Sequence, residues 1–278
     1  MRWLSAAKRT RWLSAAKRIR WLSPAKRDDY YVPAFYLLIL IAWQLVYSLR
    51  IVPDYLFPSP WQVLSRLGQL VADGLFLPSV QATLSRMGVG FSIAAALGLL
   101  VGLVMGTSEI INRCLKSLFL GLQTLPTAAW VPIALLIFGL KDSGIYFVII
   151  MSSMPAVAIA TSDSIMHIPP IFLRAARTLG TPVYAMPHRV ILPAALPNIV
   201  TGIKLGWTLA WHGGVSAELI KSSIGLGFLL HMGRELNDAA QIIGIMVVTI
   251  LFGFLLDRFF FGIIDQRIRR RWGLAKTQ

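Results

Sequence analysis

Charge is scarce in this sequence, and acidic charge scarcest: 14% of its 278 residues are charged, with 12 Asp and Glu against 27 Lys and Arg. A soluble domain carries roughly a quarter charged residues, so the 56% hydrophobic content points to lipid as the natural solvent. The single cysteine, Cys114, excludes an internal disulfide and any cysteine-based metal cluster. No Gly-x-x-x-x-Gly-Lys-Ser/Thr phosphate loop occurs, so the chain is not expected to hydrolyse ATP alone. His167, His188, His212 and His231 lack close metal-ligand spacing, and no Gly-x-Ser-x-Gly presents an elbow nucleophile. A membrane enzyme is therefore a poor fit, and no metal, cofactor or catalytic residue is expected in this chain.

What is abundant is apolar sequence in long blocks. A helical span needs about 20 apolar residues, and such stretches run from Tyr31 to Leu49, Met87 to Ser108, Ser117 to Leu140 and Ser143 to Ser162. Two further stretches are less pure: Val190 to Leu219 carries Lys204, His212 and Glu218, and Ala239 to Ile264 is interrupted by Asp257 and Arg258. Polar faces alternating with these runs, which a large soluble helical protein would need, are missing. The expectation is an all-α membrane protein with six transmembrane helices over residues 30–266. Pro126 and Pro132 are expected to kink the third span. Between the first two, Ser59-Pro60 followed by Val63, Leu64, Leu67, Leu70 and Val71 predicts a short amphipathic helix at the outer surface.

Basic loops stay in the cytoplasm. The amino-terminal tail, residues 1–29, holds Arg2, Lys8, Arg9, Arg11, Lys17, Arg18, Arg20, Lys26 and Arg27 before any acid, and the other tail, 267–278, holds Arg267, Arg269, Arg270, Arg271 and Lys276. Six spans put both ends on one side, so both termini are expected in the cytoplasm, with the loops around Arg113 and Lys116 and from His167 to Arg189. The first tail repeats Arg2-Trp-Leu-Ser-Ala-Ala-Lys-Arg9 with a period of nine. That period turns Trp3, Trp12 and Trp21 out of phase on a helix, so a disordered basic tail resting on anionic membrane lipid is expected, with no nucleic acid as partner.

Within the spans, Ala94, Gly98, Gly102 and Gly106, and likewise Gly202, Gly206, Ala210 and Gly214, recur every fourth residue and give flat faces for close helix contact. Opposite the second face lie Lys204, Thr208 and His212. A polar stripe in a membrane is costly unless it faces water, a partner or a substrate. Either it lines the translocation pathway, with Lys204 attracting an anion, or Lys204 snorkels to the inner surface or pairs with Asp163. Arg86 and Glu218 present the same choice near the outer side, where they could pair.

The loop between the fourth and fifth spans, residues 167–189, reads Arg174-Ala-Ala-Arg-Thr-Leu-Gly180, then nine residues, then Val190-Ile-Leu-Pro193. A short helix ended by Gly180 and restarted before Pro193 would project from the bilayer as a docking element. This loop resembles the cytoplasmic EAA loop of ABC importer permeases: Ala175, Ala176, Gly180, Val190, Leu192 and Pro193 match in register, while Arg174 stands where the family has glutamate. Thr83-Leu-Ser-Arg86, Leu125-Pro126, Trp130-Val-Pro132, Ala217-Glu-Leu-Ile220 before Gly225-Leu-Gly227, and Arg270-Arg-Trp-Gly-Leu274 resemble the branch importing nitrate, sulfonate, taurine or bicarbonate, closest to aliphatic sulfonate permeases.

The resemblance implies the MetI-like permease fold with a cytoplasmic coupling helix, in the bacterial inner membrane. It implies separate ABC ATPase subunits that hold ATP and Mg, a periplasmic or lipid-anchored substrate-binding protein, and a second permease chain forming a homodimer. ATPase coupling would fall to Arg174, Ala175, Ala176, Gly180, Leu192 and Pro193. The rival expectation is a secondary transporter or channel for a small anion working without an ATPase. That class usually couples through intramembrane carboxylates and often shows an inverted repeat, but acids are few here and no repeat is evident.

Overall fold

The computed structural model describes residues 31–50, 52–53, 55–219, 224–263 and 267. The nine-residue repeat, and the carboxyl-terminal tail apart from Arg267, lie outside them. No strand occurs among the described residues. Residues 1–62 and 63–278 form two compact units.

In the first unit, the apolar run at its start forms α1 (Tyr31–Ser48), which buries none of its residues. Its Trp43 Nε1–H donates to the Pro58 carbonyl at 3.0 Å, and the Trp43 and Phe57 rings lie 6.2 Å apart. Ser59 and Gln62 start the predicted amphipathic helix α2 (Pro60–Ala72) with a reciprocal cap. The Gln62 N–H donates to Ser59 Oγ at 3.2 Å, and the Ser59 N–H to Gln62 Oε1 at 2.7 Å.

The second unit is built on α3 (Phe76–Met105), α6 (Asp142–Met166) and α8 (Leu192–Glu218). The small residues explain why they pack as they do. A Cβ on Gly98 would stand 2.7 Å from Val157, and one on Gly102 2.6 Å from the Ala158 carbonyl, so α3 lies directly against α6. Gly206 also meets Val157, and Gly213 meets Ser152, so α8 lies against an adjoining face of the same helix. Both glycine faces thus clamp α6, whose Ser152, Ser153 and Ser164 hydroxyls donate to their own helix four residues back. Such internal satisfaction is what a lipid-embedded helix needs.

The third span departs from expectation. Instead of one kinked helix over Ser117–Leu140, there are two arms, α4 (Glu109–Gln123) and, after a 3₁₀ turn at Thr127–Ala129, α5 (Trp130–Phe138). The break bends by 90°. It falls at Leu125-Pro126, whereas Pro132 sits in the first turn of α5, where its missing N–H costs nothing and produces no kink. Arg113 and Lys116, expected in a loop, ride on α4. The second span also begins earlier than the apolar run suggested, at Phe76 rather than Met87, which places Arg86 inside α3.

After α6 come α7 (Pro170–Thr178), then α8, α9 (Leu226–Glu235) and α10 (Ala239–Leu256). Helix α9 was not anticipated, although Leu226, Leu229, Leu230 and Gly233 have helical spacing. It packs with Leu70 and Val80 against Ile245 and Val248 of α10. Arg66 fastens α2 there: its Nε donates to Asp238 Oδ2 at 2.6 Å and Nη2 to Gln241 Oε1 at 2.8 Å, while Asp238 caps α10 by accepting the Gln241 N–H. Among the described residues, five helices are long and apolar enough to span a membrane, six if the bent pair counts as one span.

Candidate functional site

The predicted docking loop is built as its residue types require. Pro169-Pro170 starts α7, and Gly180, at φ +78°, stops it in the left-handed conformation that only glycine adopts without cost. The Thr181 N–H donates to the Ala176 carbonyl and the Gly180 N–H to that of Arg177, both at 3.0 Å, completing a Schellman turn. The two alanines part ways: Ala176 is buried against the chain itself, whereas Ala175, Arg174 and Arg177 are exposed. Helical geometry resumes as a π-turn over Pro187–Ile191 that runs into α8, with Pro193 in the first turn and Leu192 exposed. The segment Val183–Glu218 is 36 residues long. At 1.5 Å per residue it would reach about 50 Å, against about 30 Å of hydrocarbon, so it is longer than the bilayer core is thick.

The polar stripe of α8 opens on a cavity of about 640 Å³ between α8 and α10, where Thr208, His212 and Ser216 face Thr249 and Asp257 beside Trp207 and Trp211. Lys204 pairs with the bordering Asp257 at 2.9 Å, and not with Asp163, which was one of the alternatives offered for it. Asp163 is taken by Lys116 of α4, at 2.6 Å. Asp257 is a site residue that sequence reasoning missed. Its signal was available, since an acid interrupting an apolar span needs a cation at comparable depth, and Lys204 is one.

The hydroxyls bordering the cavity donate inward to their own helices, Thr208 to the Lys204 carbonyl, Ser216 to that of His212 and Thr249 to that of Ile245. They therefore turn oxygen lone pairs, rather than protons, toward the cavity. An aromatic cluster backs this wall, with Phe91 edge-on to Trp207 at 5.2 Å and Phe261 tilted against Trp207 at 5.7 Å.

Arg86 and Glu218 do come together, away from that cavity and at the far end of α8 from α7. Glu218 is fully buried. It accepts from Thr83 Oγ1 at 2.7 Å, Arg86 Nη1 at 3.1 Å and the Gly227 N–H at 3.2 Å. Arg86 also donates to the Ile224 carbonyl at 2.6 Å and pairs with Asp142 at 3.1 Å, while Thr83 Oγ1 accepts the Leu226 N–H. The Gly225-Leu-Gly227 wording now has a cause, because a Cβ on Gly225 would lie 2.7 Å from the Glu218 carboxylate. Asp142 and Thr83 were not singled out beforehand. They join the cluster through topology, since α3, α6 and α8 all bring an end there.

Residues 94–270 match the family described as the binding-protein-dependent transport system inner membrane component. The chain belongs to that family. It is an ABC importer permease and a multi-pass inner-membrane protein, and the relatives it matches are transport permease subunits. It is similar to the bicarbonate transport system permease protein CmpB of Synechococcus elongatus, with 36% identity over 67% of each chain. The nitrate import permease protein NrtB of a Synechocystis species is 30% identical over 80% of this chain and 82% of that one. A Bacillus subtilis protein named for aliphatic sulfonates transport, SsuC, is 30% identical over 80% of each. Among solved structures, an inward-facing MetNI methionine ABC transporter matches 71% of this permease and 97% of its own chain at 18% identity, with a TM-score of 0.59. The expected MetI-like fold is thereby established.

Proposed function

We propose that this permease imports a small oxyanion, with an aliphatic sulfonate or taurine favoured over nitrate, through a pathway bordered by the α8–α10 cavity and driven by a separate ATPase that engages residues 167–189. The observation that carries the coupling is the α7 loop, a rigid, Schellman-terminated projection bearing Ala175, Ala176, Gly180, Leu192 and Pro193 in the family register. ATP and Mg belong on the partner ATPase. A substrate-binding protein delivers the solute, a second copy completes the pathway, and both basic termini lie in the cytoplasm.

Two features of the cavity support the solute class. Trp207, Trp211, Val215, Ile250 and Phe254 give it an apolar, aromatic wall, which suits a solute with a carbon skeleton better than nitrate or bicarbonate. Lys204 is neutralised by Asp257, and the neighbouring hydroxyls donate elsewhere, so an oxyanion would be held weakly. Weak binding favours passage, since a pathway must release what it admits, and it leaves discrimination to the binding protein. Thr208 and His212 border this pathway. Arg86 and Glu218, tied into a buried cluster, serve it by fixing the far end of α8.

The reading is tested by uptake into proteoliposomes containing this permease with its co-purified ATPase and binding protein. Uptake of a labelled alkanesulfonate is expected to require all components and ATP. Anion uptake driven by an ion gradient through this chain alone would instead establish a secondary transporter or channel.

A further inference from the structure

From Ser164 to Ala217 the sequence contains no aspartate or glutamate. Within that stretch, Arg174, Arg177, His188 and Arg189 are all exposed, and among the described residues no carboxylate lies within ion-pair distance of the three arginines. Beside them stand the most exposed apolar side chains of the loop: Leu179 is 85% exposed, Tyr184 83% and Val183 81%. Uncompensated cations and bare apolar groups together suit neither hydrocarbon nor open water.

The direction of the arginines selects between a membrane surface and a protein. On a helix turning 100° per residue, Arg174 and Arg177 fall roughly 160° and 100° from Ala176, the residue that α7 buries against its own chain. They therefore point outward or sideways from the body that Ala176 packs against, the direction in which a docked protein would meet them, while Phe172 and Leu179 flank Ala176 on the other side.

We infer that the ATPase surface receiving α7 is acidic, with carboxylate opposite Arg174 and Arg177 and an apolar margin for Leu179 and Tyr184. This rests on the reading of the loop as the ATPase contact, and it specifies a charge sense opposite to that of the glutamate in the related pattern. The arginines give that contact its charge and the apolar flank gives it area, so assembly should weaken as salt rises.

The experiment uses the complete permease–ATPase complex in proteoliposomes, in a Cys114→Ser background because Cys114 is exposed. A bifunctional thiol-to-amine reagent on Leu179→Cys reads contact, and ATP-driven uptake reads coupling. The expected result is cross-linking to the ATPase, with R174E lowering uptake by about tenfold or more and R174K retaining most of it. If cross-linking persists but R174E equals or exceeds the parent, the receiving surface is not acidic, although the coupling role stands. If Leu179→Cys never reaches the ATPase, both readings fall. Cross-linking lost in vesicles of neutral lipid alone, with R174E silent in mixed lipid, would assign the arginines to anionic headgroups and overturn the inference.

Discussion

At one end of α8 the guanidinium of Arg86 is shared among Glu218, Asp142 and the Ile224 carbonyl; at the other, Arg174 and Arg177 stand exposed with no carboxylate of the described chain beside them. The same residue type serves two purposes because its surroundings differ. Where water is excluded, a charge persists only if its own chain supplies every partner. Where it projects from the fold, the partner can come from another molecule. Lys204 and Asp257 lie between these limits, paired with each other yet bordering a cavity. A closed cluster therefore serves the architecture, and the open set of cations is what the proposed ATPase contact would engage.

The comparison is broken most severely by Glu218→Ala, which leaves Arg86, Thr83 and the Gly227 N–H without their acceptor. The expected cost is about 3–5 kcal/mol, read as a large fall in the midpoint of heat-induced aggregation in detergent. Arg174→Ala, by contrast, should change that midpoint by no more than about 0.5 kcal/mol equivalent. Equal effects of the two would remove the distinction between the ends.

A smaller effect is expected at Gly227, where a Cβ would stand 2.5 Å from Glu218 Cβ and 2.7 Å from the Val215 carbonyl. Gly227→Ala should cost about 1–3 kcal/mol through overpacking, checked by the same midpoint. A neutral result would mean that the cluster yields and is not the rigid anchor described. The smallest effect belongs to the open end. Gly180→Ala forces a left-handed backbone on alanine, and nothing lies within 4 Å of the added carbon, so about 1 kcal/mol of strain is expected. It should appear as faster amide exchange at Thr181, with no change in the global midpoint.

Much of this was legible beforehand, for identifiable reasons. Apolar runs located α1, α6, α8 and α10 because lipid leaves little latitude in composition, and the Ser59-Pro60 start with the spacing of Val63, Leu64, Leu67, Leu70 and Val71 marked α2. The loop register was readable because Gly180 answers a backbone requirement. What escaped notice depended on pairing across the fold. Arg86 bounded an apolar run on paper, yet it sits within α3, and beside the Glu218 pairing already offered for it stand Asp142 and the Ile224 carbonyl, which were not foreseen. Asp163 and Asp257 were both available to Lys204, and only the arrangement of helices assigns one to Lys116. The bend at Leu125-Pro126 was foreseen as a kink, but its 90° angle is set by what each arm packs against.

The clamping of α6 has a mechanical corollary. With glycine faces pressed on it from two sides and no space for a Cβ, α6 cannot slide past α3 or α8 without collision, because close-packed interfaces jump between arrangements and do not yield gradually. If the ATPase engages α7 as proposed, a thrust delivered there, just after α6 and a short turn, would be carried along this packed slab toward Asp142 and Arg86. On the proposed reading the three helices are expected to turn together, with the opening that admits solute forming at the slab's margins and not through its middle.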